Sequence, residues 1–189
     1  MKKSLPFILT FILISTLLHS QWRVRVITDN SANTLNVIKF RNENFGLCMG
    51  NNAVILKSTD EGENWDLIAP DLDVDLDIQD FQYINDTVIY AIADEGFIKS
   101  KDNGVTWDEY GQPGGTSLEF TDQDTGFVSG SNTILKTTDS GKRWDTVWTI
   151  KRGGYEYGRL YDIDFPDKKT GYAIGQGTKP NYTPDSLPN

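Results

Sequence analysis

Aspartate is the residue type whose spacing first suggests chemistry. Asp60, Asp102 and Asp139 each occupy the pattern Ser/Thr-x-Asp-x-Gly-x-x-Trp, running from Ser58 to Trp65, from Ser100 to Trp107 and from Thr137 to Trp144. A carboxylate held at a fixed place could serve acid–base catalysis or bind a cation. The same carboxylate can instead accept backbone N–H groups inside a tight turn, with the Ser58, Ser100 or Thr137 hydroxyl adding a second local bond. Gly62, Gly104 and Gly141 would supply the positive φ of that turn. Trp65, Trp107 and Trp144 would open the returning strand with a large apolar surface. Three copies in register favour the turn.

Other catalytic constellations are sparse. The single histidine, His19, falls in the segment read below as a leader. A Ser-His-Asp or Cys-His site, or a His-ligated metal, is therefore excluded from the remaining residues. The one cysteine, Cys48, replaces an apolar strand residue and reads as an inert buried thiol. Glycoside hydrolysis needs two acids flanking a bond; with 27 acidic residues, no local signature selects a pair. Asp71, Asp73, Asp75, Asp77 and Asp80 invite a Ca²⁺ proposal. Yet that run has no glycine for a sharp bend, and alternation sets Leu72, Val74, Leu76 and Ile78 on one face with the carboxylates opposite. It reads as a solvated strand face that discourages edge pairing, so no metal and no cofactor are expected. Lys151, Arg152, Tyr155, Tyr157, Arg159 and Tyr161 lie on a glycine-rich connection, where basic and aromatic groups could stack on sugars or grip a carboxylate or peptide. They are the candidate ligand loop.

The elements that must position these residues repeat with the boxes. The tryptophans recur after 42 and then 37 positions. Phe40 to Gly50 is matched by Phe120 to Gly130 and Phe165 to Gly175, with a more divergent copy from Tyr83 to Ala93. A third apolar run (Ala53–Lys57, Gly96–Lys99, Thr133–Lys136) leads into each box. Each unit thus reads as four short strands over roughly 40–45 residues, the pattern of a propeller blade. Helical periodicity is absent after the leader.

The boxes resemble Asp-boxes, and the whole repeat resembles the bacterial-neuraminidase-repeat β-propellers. That group includes sialidases, xyloglucanases, sortilin-type receptors and photosystem II assembly factors, the last being closest in texture. The resemblance spans residues 22–177. It implies an all-β, partial β-propeller of four-stranded antiparallel blades, about three and a half of them. It also implies that Asp60, Asp102 and Asp139 are structural and peripheral. A sialidase would further need an arginine trio and a Phe/Tyr-Arg-Ile-Pro start. The tetrapeptide is missing, and Arg23, Arg25, Arg41, Arg143, Arg152 and Arg159 are too scattered to form the trio.

The ends carry two more expectations. Met1-Lys2-Lys3, the apolar run Leu5–Leu18 and the polar change after Ser20 have the layout of a secretory signal peptide, residues 1–20, too short to span a membrane. Export to the periplasm, cell surface or medium is expected, without an integral membrane segment. The Trp22–Ile27 stretch resembles the fourth strand of a blade, and the unit opening at Phe165 lacks its box, Thr183-Pro-Asp185 departing from the pattern. Residues 21–189 are thus read as a propeller domain incomplete at its C-terminus and the chain as a fragment.

The net charge of −9 disfavours nucleic acid or an anionic membrane as partner. The expected function is a non-enzymatic exported module that binds a protein, peptide or glycan, or that acts as a scaffold. The alternative is a glycoside hydrolase of sialidase or xyloglucanase type with catalytic residues partly outside this chain.

Overall fold

A computed structural model describes residues 34–69, 72, 76–152, 155–156 and 158–176. The leader, Trp22–Ile27, Val74 with Asp71, Asp73 and Asp75, Tyr157, and Thr183–Asp185 lie outside the described residues.

Short apolar runs bounded by polar turns fold as strands, and each set of four forms one antiparallel sheet in chain order. The first sheet is β1 (Leu35–Phe40), β2 (Gly46–Gly50), β3 (Ile55–Ser58) and β4 (Asp66–Ile68). The second is β5 (Ile78–Tyr83), β6 (Ile89–Ala93), β7 (Phe97–Ser100) and β8 (Asp108–Glu109). The third is β9 (Ser117–Phe120), β10 (Gly126–Gly130), β11 (Thr133–Thr137) and β12 (Asp145–Thr149). A small hairpin follows, β13 (Lys151–Arg152) with β14 (Tyr155–Glu156), and then a two-stranded unit, β15 (Arg159–Asp164) with β16 (Tyr172–Gln176). No helix occurs among the described residues, so none there is long and apolar enough to cross a membrane.

The sheets fan about a common edge. First strands lie side by side, β1 by β5, β5 by β9 and β9 by β15. All five residues of β2 and of β6 are buried, because second strands are covered on both faces; this is why they read as continuous apolar runs. Fourth strands are largely exposed, and β4 and β8 are only three and two residues long, which limits the unpaired edge those two blades present.

Two apolar layers join the three four-stranded blades, and β15–β16 packs on the third, Phe127 stacking on Phe165 with ring centroids 4.2 Å apart. Between the first two sheets, Leu47, Met49 and Ile55 pack with Phe81, Ile89 and Trp107. Between the second and third, Tyr90, Ile92 and Phe97 pack with Leu118, Phe120 and Val128, and Trp144 closes over them. Tyr90 and Phe120 meet with ring centroids 4.5 Å apart. Each such side chain stabilises the fan by about 1.5–3 kcal/mol when fully buried. Cys48 is buried as expected, and burial pushes its thiol up to about 11.

The acidic run differs in place from its sequence reading. β5 begins only at Ile78 and is a first, axis-side strand, not an outer one. Leu76 and Ile78 do go inward, and Leu72 packs against the same layer. The apolar half of the alternation holds at these three described positions.

The polar turns between first and second strands share one device. Asn42, Asn85, Asp122 and Asp167 each use one side-chain oxygen to accept the N–H groups two and three residues on, at 2.7–3.1 Å. The fourth occurrence shows that β15–β16 opens a unit of the same kind.

Candidate functional site

The three boxes are superposable hydrogen-bond circuits. The hydroxyls of Ser58, Ser100 and Thr137 donate to Asp60, Asp102 and Asp139 at 2.9, 2.9 and 3.0 Å. The same hydroxyls accept the N–H of Gly62, Gly104 and Gly141 at 2.9, 2.8 and 3.0 Å. Each carboxylate accepts the N–H four residues on, from Asn64, Thr106 and Arg143 at 2.9, 2.8 and 2.9 Å. That reach is longer than the sequence suggested. Each indole N–H of Trp65, Trp107 and Trp144 donates to the carbonyl of its own turn's glycine at 3.1, 3.2 and 3.0 Å.

The glycines have φ of 79°, 82° and 83°, and the residues before them, Glu61, Asn103 and Ser140, are also left-handed at 62°, 64° and 62°. Positive φ at both central residues gives the mirror-image turn that suits a hairpin. Only the glycine was legible in the sequence. Hydrogen bonds set the charge state. The Arg143 N–H and then its guanidinium hold Asp139 down at about 2. The Asn64 N–H and side chain lower Asp60. Asp102 is raised by burial but lowered on balance by Thr106 and Ser100. These carboxylates are ionised acceptors with their oxygens engaged, which makes them poor proton donors.

The boxes occupy one end of the blades. The N–H groups of Glu61, Asn103 and Ser140 donate to the carbonyls of Asn44, Thr87 and Asp124 in the neighbouring first turns. At the opposite end lies an open cleft of about 350 Å³, lined by Gln79, Asp94, Thr116, Ser131 and Arg159 together with Gly114, Gly115, Gly130 and Gly158. Close approach dictates the glycines: a Cβ on Gly115 would lie 2.5 Å from Val128 Cγ1, and one on Gly130 would lie 2.7 Å from Gly115 Cα. Thr116 fixes the wall by donating to the Leu160 carbonyl at 2.9 Å.

Of the candidate ligand loop, Arg159 lines this cleft. Tyr161 is beside it, with the guanidinium 6.0 Å from the ring centroid and the phenol donating to Gln176 at 2.8 Å. Lys151 and Arg152 pair in backbone register with Glu156 and Tyr155. The side chains of Lys151, Arg152 and Tyr155, and all of Tyr157, lie outside the described part.

A second polar grouping runs along the first strands. Register places Lys39, Gln82, Glu119 and Asp164 opposite Leu47, Tyr90, Phe127 and Tyr172, and so at one level of the fan. Asp80, Ser117 and Asp162 form the level next to it. Lys39 pairs with Asp80 at 2.7 Å. Asp80 also accepts the Leu118 N–H at 3.1 Å, and Ser117 donates to Asp162 at 2.8 Å. Gln82 donates to Glu119 at 3.2 Å and accepts the Phe120 N–H at 2.6 Å. Burial pushes Glu119 above the ordinary glutamate range, Lys39 opposes this, and Asp164 and Asp80 add to it. Sequence reasoning named only Asp80 among these residues. The missed signal is positional: each of the upper level immediately precedes Phe40, Tyr83, Phe120 or Phe165. No group of three or more potential metal-ligating side chains occurs among the described residues.

Fan, registers and axis-side first strands together define a partial β-propeller of four-stranded antiparallel blades. Solved structures agree on the fold. A YCF48 structure described as bound to D1 peptide matches at TM-score 0.55 and 17% identity, over 60% of this chain and 40% of that one. An ancestral GH74 enzyme matches at TM-score 0.56 and 12% identity, over 69% of this chain and 20% of that one. The chain therefore spans less than half the length of either. No protein-family model matches the chain, and no curated protein matches it.

Proposed function

We propose that this chain is an exported, non-enzymatic Asp-box propeller module that binds a peptide segment at the cleft between Asp94 and Arg159. The cleft carries the reading. It sets a cationic and an anionic side chain on a glycine-lined floor, and a main chain can approach such a floor closely. Arg159 suits a carboxylate and Asp94 an amine or amide, while Gln79, Thr116 and Ser131 offer hydrogen bonds of either sense. The likeness to YCF48, a propeller solved with a peptide, supports this class of ligand. The boxes serve the fold in this reading, since their polar atoms are spent within their own turns.

A peptide-display library panned against the purified chain tests the proposal. Selected peptides should bind in calorimetry, and Arg159→Ala should weaken them at least tenfold while Lys101→Ala, at the box end, leaves them unchanged. Equal binding by Arg159→Ala would place the ligand elsewhere.

One observation favours a second reading, a glycoside hydrolase like the GH74 neighbour. Glu119 holds its proton more tightly than an ordinary glutamate and stands near Asp80 and Asp164, and a glycosidase needs a raised general acid near a second carboxylate. Against it, Asp80 and Asp162 are engaged in bonds between blades. Turnover of chromogenic glycosides that is abolished by Glu119→Gln would establish the hydrolase and displace the binding module.

A further inference from the structure

The residue ahead of each box glycine differs from blade to blade: Glu61, Asn103 and Ser140. The second box therefore holds an Asn-Gly pair, Asn103-Gly104, and no other asparagine of the chain precedes a glycine. Such a pair carries its own chemistry. A glycine nitrogen has no side chain beside it, so it can attack the side-chain carbonyl carbon of the preceding asparagine. The new N–C bond closes a succinimide ring, the amide C–N bond breaks, and the amide nitrogen leaves as ammonia with the proton lost from the glycine N–H. Water then opens the ring to aspartate or to isoaspartate. Glu61 offers a carboxylate with no amide nitrogen to expel, and Ser140 has no side-chain carbonyl, so the other two boxes lack this route.

The second box opposes each part of the step. The Gly104 N–H is buried and donates to Ser100 Oγ at 2.8 Å, so the proton that must leave is engaged. Asn103 Oδ1 accepts from Arg41 Nη1 at 2.8 Å. The Arg41 guanidinium is itself fixed by the Asp86 carbonyl and by the Phe45 ring, 4.4 Å away. The Asn103 N–H donates to the Thr87 carbonyl at 2.8 Å. The side-chain amide is thus tied to the first blade and the attacking nitrogen to its own box. Reaction requires both ties to be released.

We propose that Asn103 is a site of intramolecular deamidation that the second box keeps closed, reacting only when that box opens. The two products act differently on the fold. Aspartate would turn the neutral acceptor of Arg41 into a charged one and strengthen that bond across the seam. Isoaspartate would lengthen the main chain by one carbon at a central turn residue held at φ 64°, and the box could not re-form on it. Local opening of this blade would then become irreversible. The site stands at the box end and is independent of the peptide cleft.

The test follows conversion of Asn103 in the purified chain over days in mildly alkaline buffer, by mass spectrometry of its peptide. Circular dichroism confirms that each sample is folded. The folded parent should convert at least about tenfold more slowly than the parent in guanidinium chloride, since opening must precede reaction. Ser100→Ala frees the Gly104 N–H and should raise the folded-state rate roughly fivefold, the change in open population that loss of one hydrogen bond brings. Ser100→Thr, which supplies the hydroxyl found at Thr137 in the third box, should keep the parent rate. Thr137→Ala breaks the equivalent bond at the other seam and should also leave Asn103 at the parent rate. Equal rates in the folded and unfolded parent overturn the proposal, and that comparison needs no variant to fold. So does a Ser100→Ala rate equal to the parent's. Equal acceleration by Ser100→Ala and Thr137→Ala would also overturn it, because it would trace the reaction to opening of the whole chain.

Discussion

The two ends of the blades solve opposite problems. At the box end every polar atom that shapes the turn has a partner within it: hydroxyl to carboxylate, carboxylate to backbone, indole to glycine carbonyl. At the cleft end the same blades leave Asp94, Ser131 and Arg159 around an open space floored by glycine. Saturated groups hold a fold and have little left for a ligand. Asp94 spends one oxygen on the Asp77 N–H at 3.2 Å, but it, Ser131 and Arg159 are exposed, and exposed groups with spare hydrogen-bonding capacity can exchange water for a ligand. The contrast shows why the most repetitive residues of a blade are poor candidates for its chemistry, and why the irregular connections are better ones.

The largest effect that would break this contrast is expected at the box end. Trp107 is buried against the first blade and bonded to Gly104. Trp107→Ala should cost about 3–5 kcal/mol, read from denaturant midpoints. A loss under 1 kcal/mol, on the order of a surface substitution, would remove the box from the fold's support.

Next is Gly141→Ala. The left-handed backbone at φ 83° would cost roughly 1–2 kcal/mol for any side chain, and the new Cβ would collide with the Phe97 ring. The same replacement at Gly111, also left-handed but with nothing within 4 Å, should show the backbone cost alone. Equal losses at the two positions would mean that packing against Phe97 contributes nothing.

Arg159→Ala should leave the melting temperature within about 2 °C, the shift of a fraction of a kcal/mol, while removing peptide affinity. A large loss of stability would make Arg159 a structural residue and erase the contrast between the ends.

The smallest expected effect is in pH. Asp139 is depressed to about 2, so its contribution is present above the unfolded aspartate value and is lost as pH falls toward 2. Glu119 is raised, so its contribution has the opposite sign: folding is favoured while the group is protonated and less so as pH rises through its elevated value. Because Asp139 is partly open to solvent, salt screens its share. Asp139→Asn should flatten the acid limb of a stability–pH curve, and Glu119→Gln should flatten the decline above the ordinary glutamate range. Curves parallel to the parent in both variants would refute the assignment of either group.

The box residues, the four-strand unit and the inward alternation of Leu72, Leu76 and Ile78 were legible because they are local. A turn's hydrogen bonds connect residues two to four apart, and a strand's faces follow a period of two. The Asn42, Asn85, Asp122 and Asp167 turns were legible only as polar stretches, since Asn and Asp serve equally there. The polar levels on the first strands were not legible at all. Lys39, Gln82, Glu119 and Asp164 share a position but not a residue type, and their partners lie about 40 residues away along the chain: Lys39 reaches Asp80 at 41 positions and Gln82 reaches Glu119 at 37.

By itself, then, the order of residues determined the blade: where each strand turns, which side of it is apolar, and that the unit recurs. Only the packed arrangement decided that burial raises Glu119 and that Arg159 and Asp94 line one cleft. Those properties arise where separate blades converge on one axis, and convergence depends on distances through space that no spacing along the chain encodes.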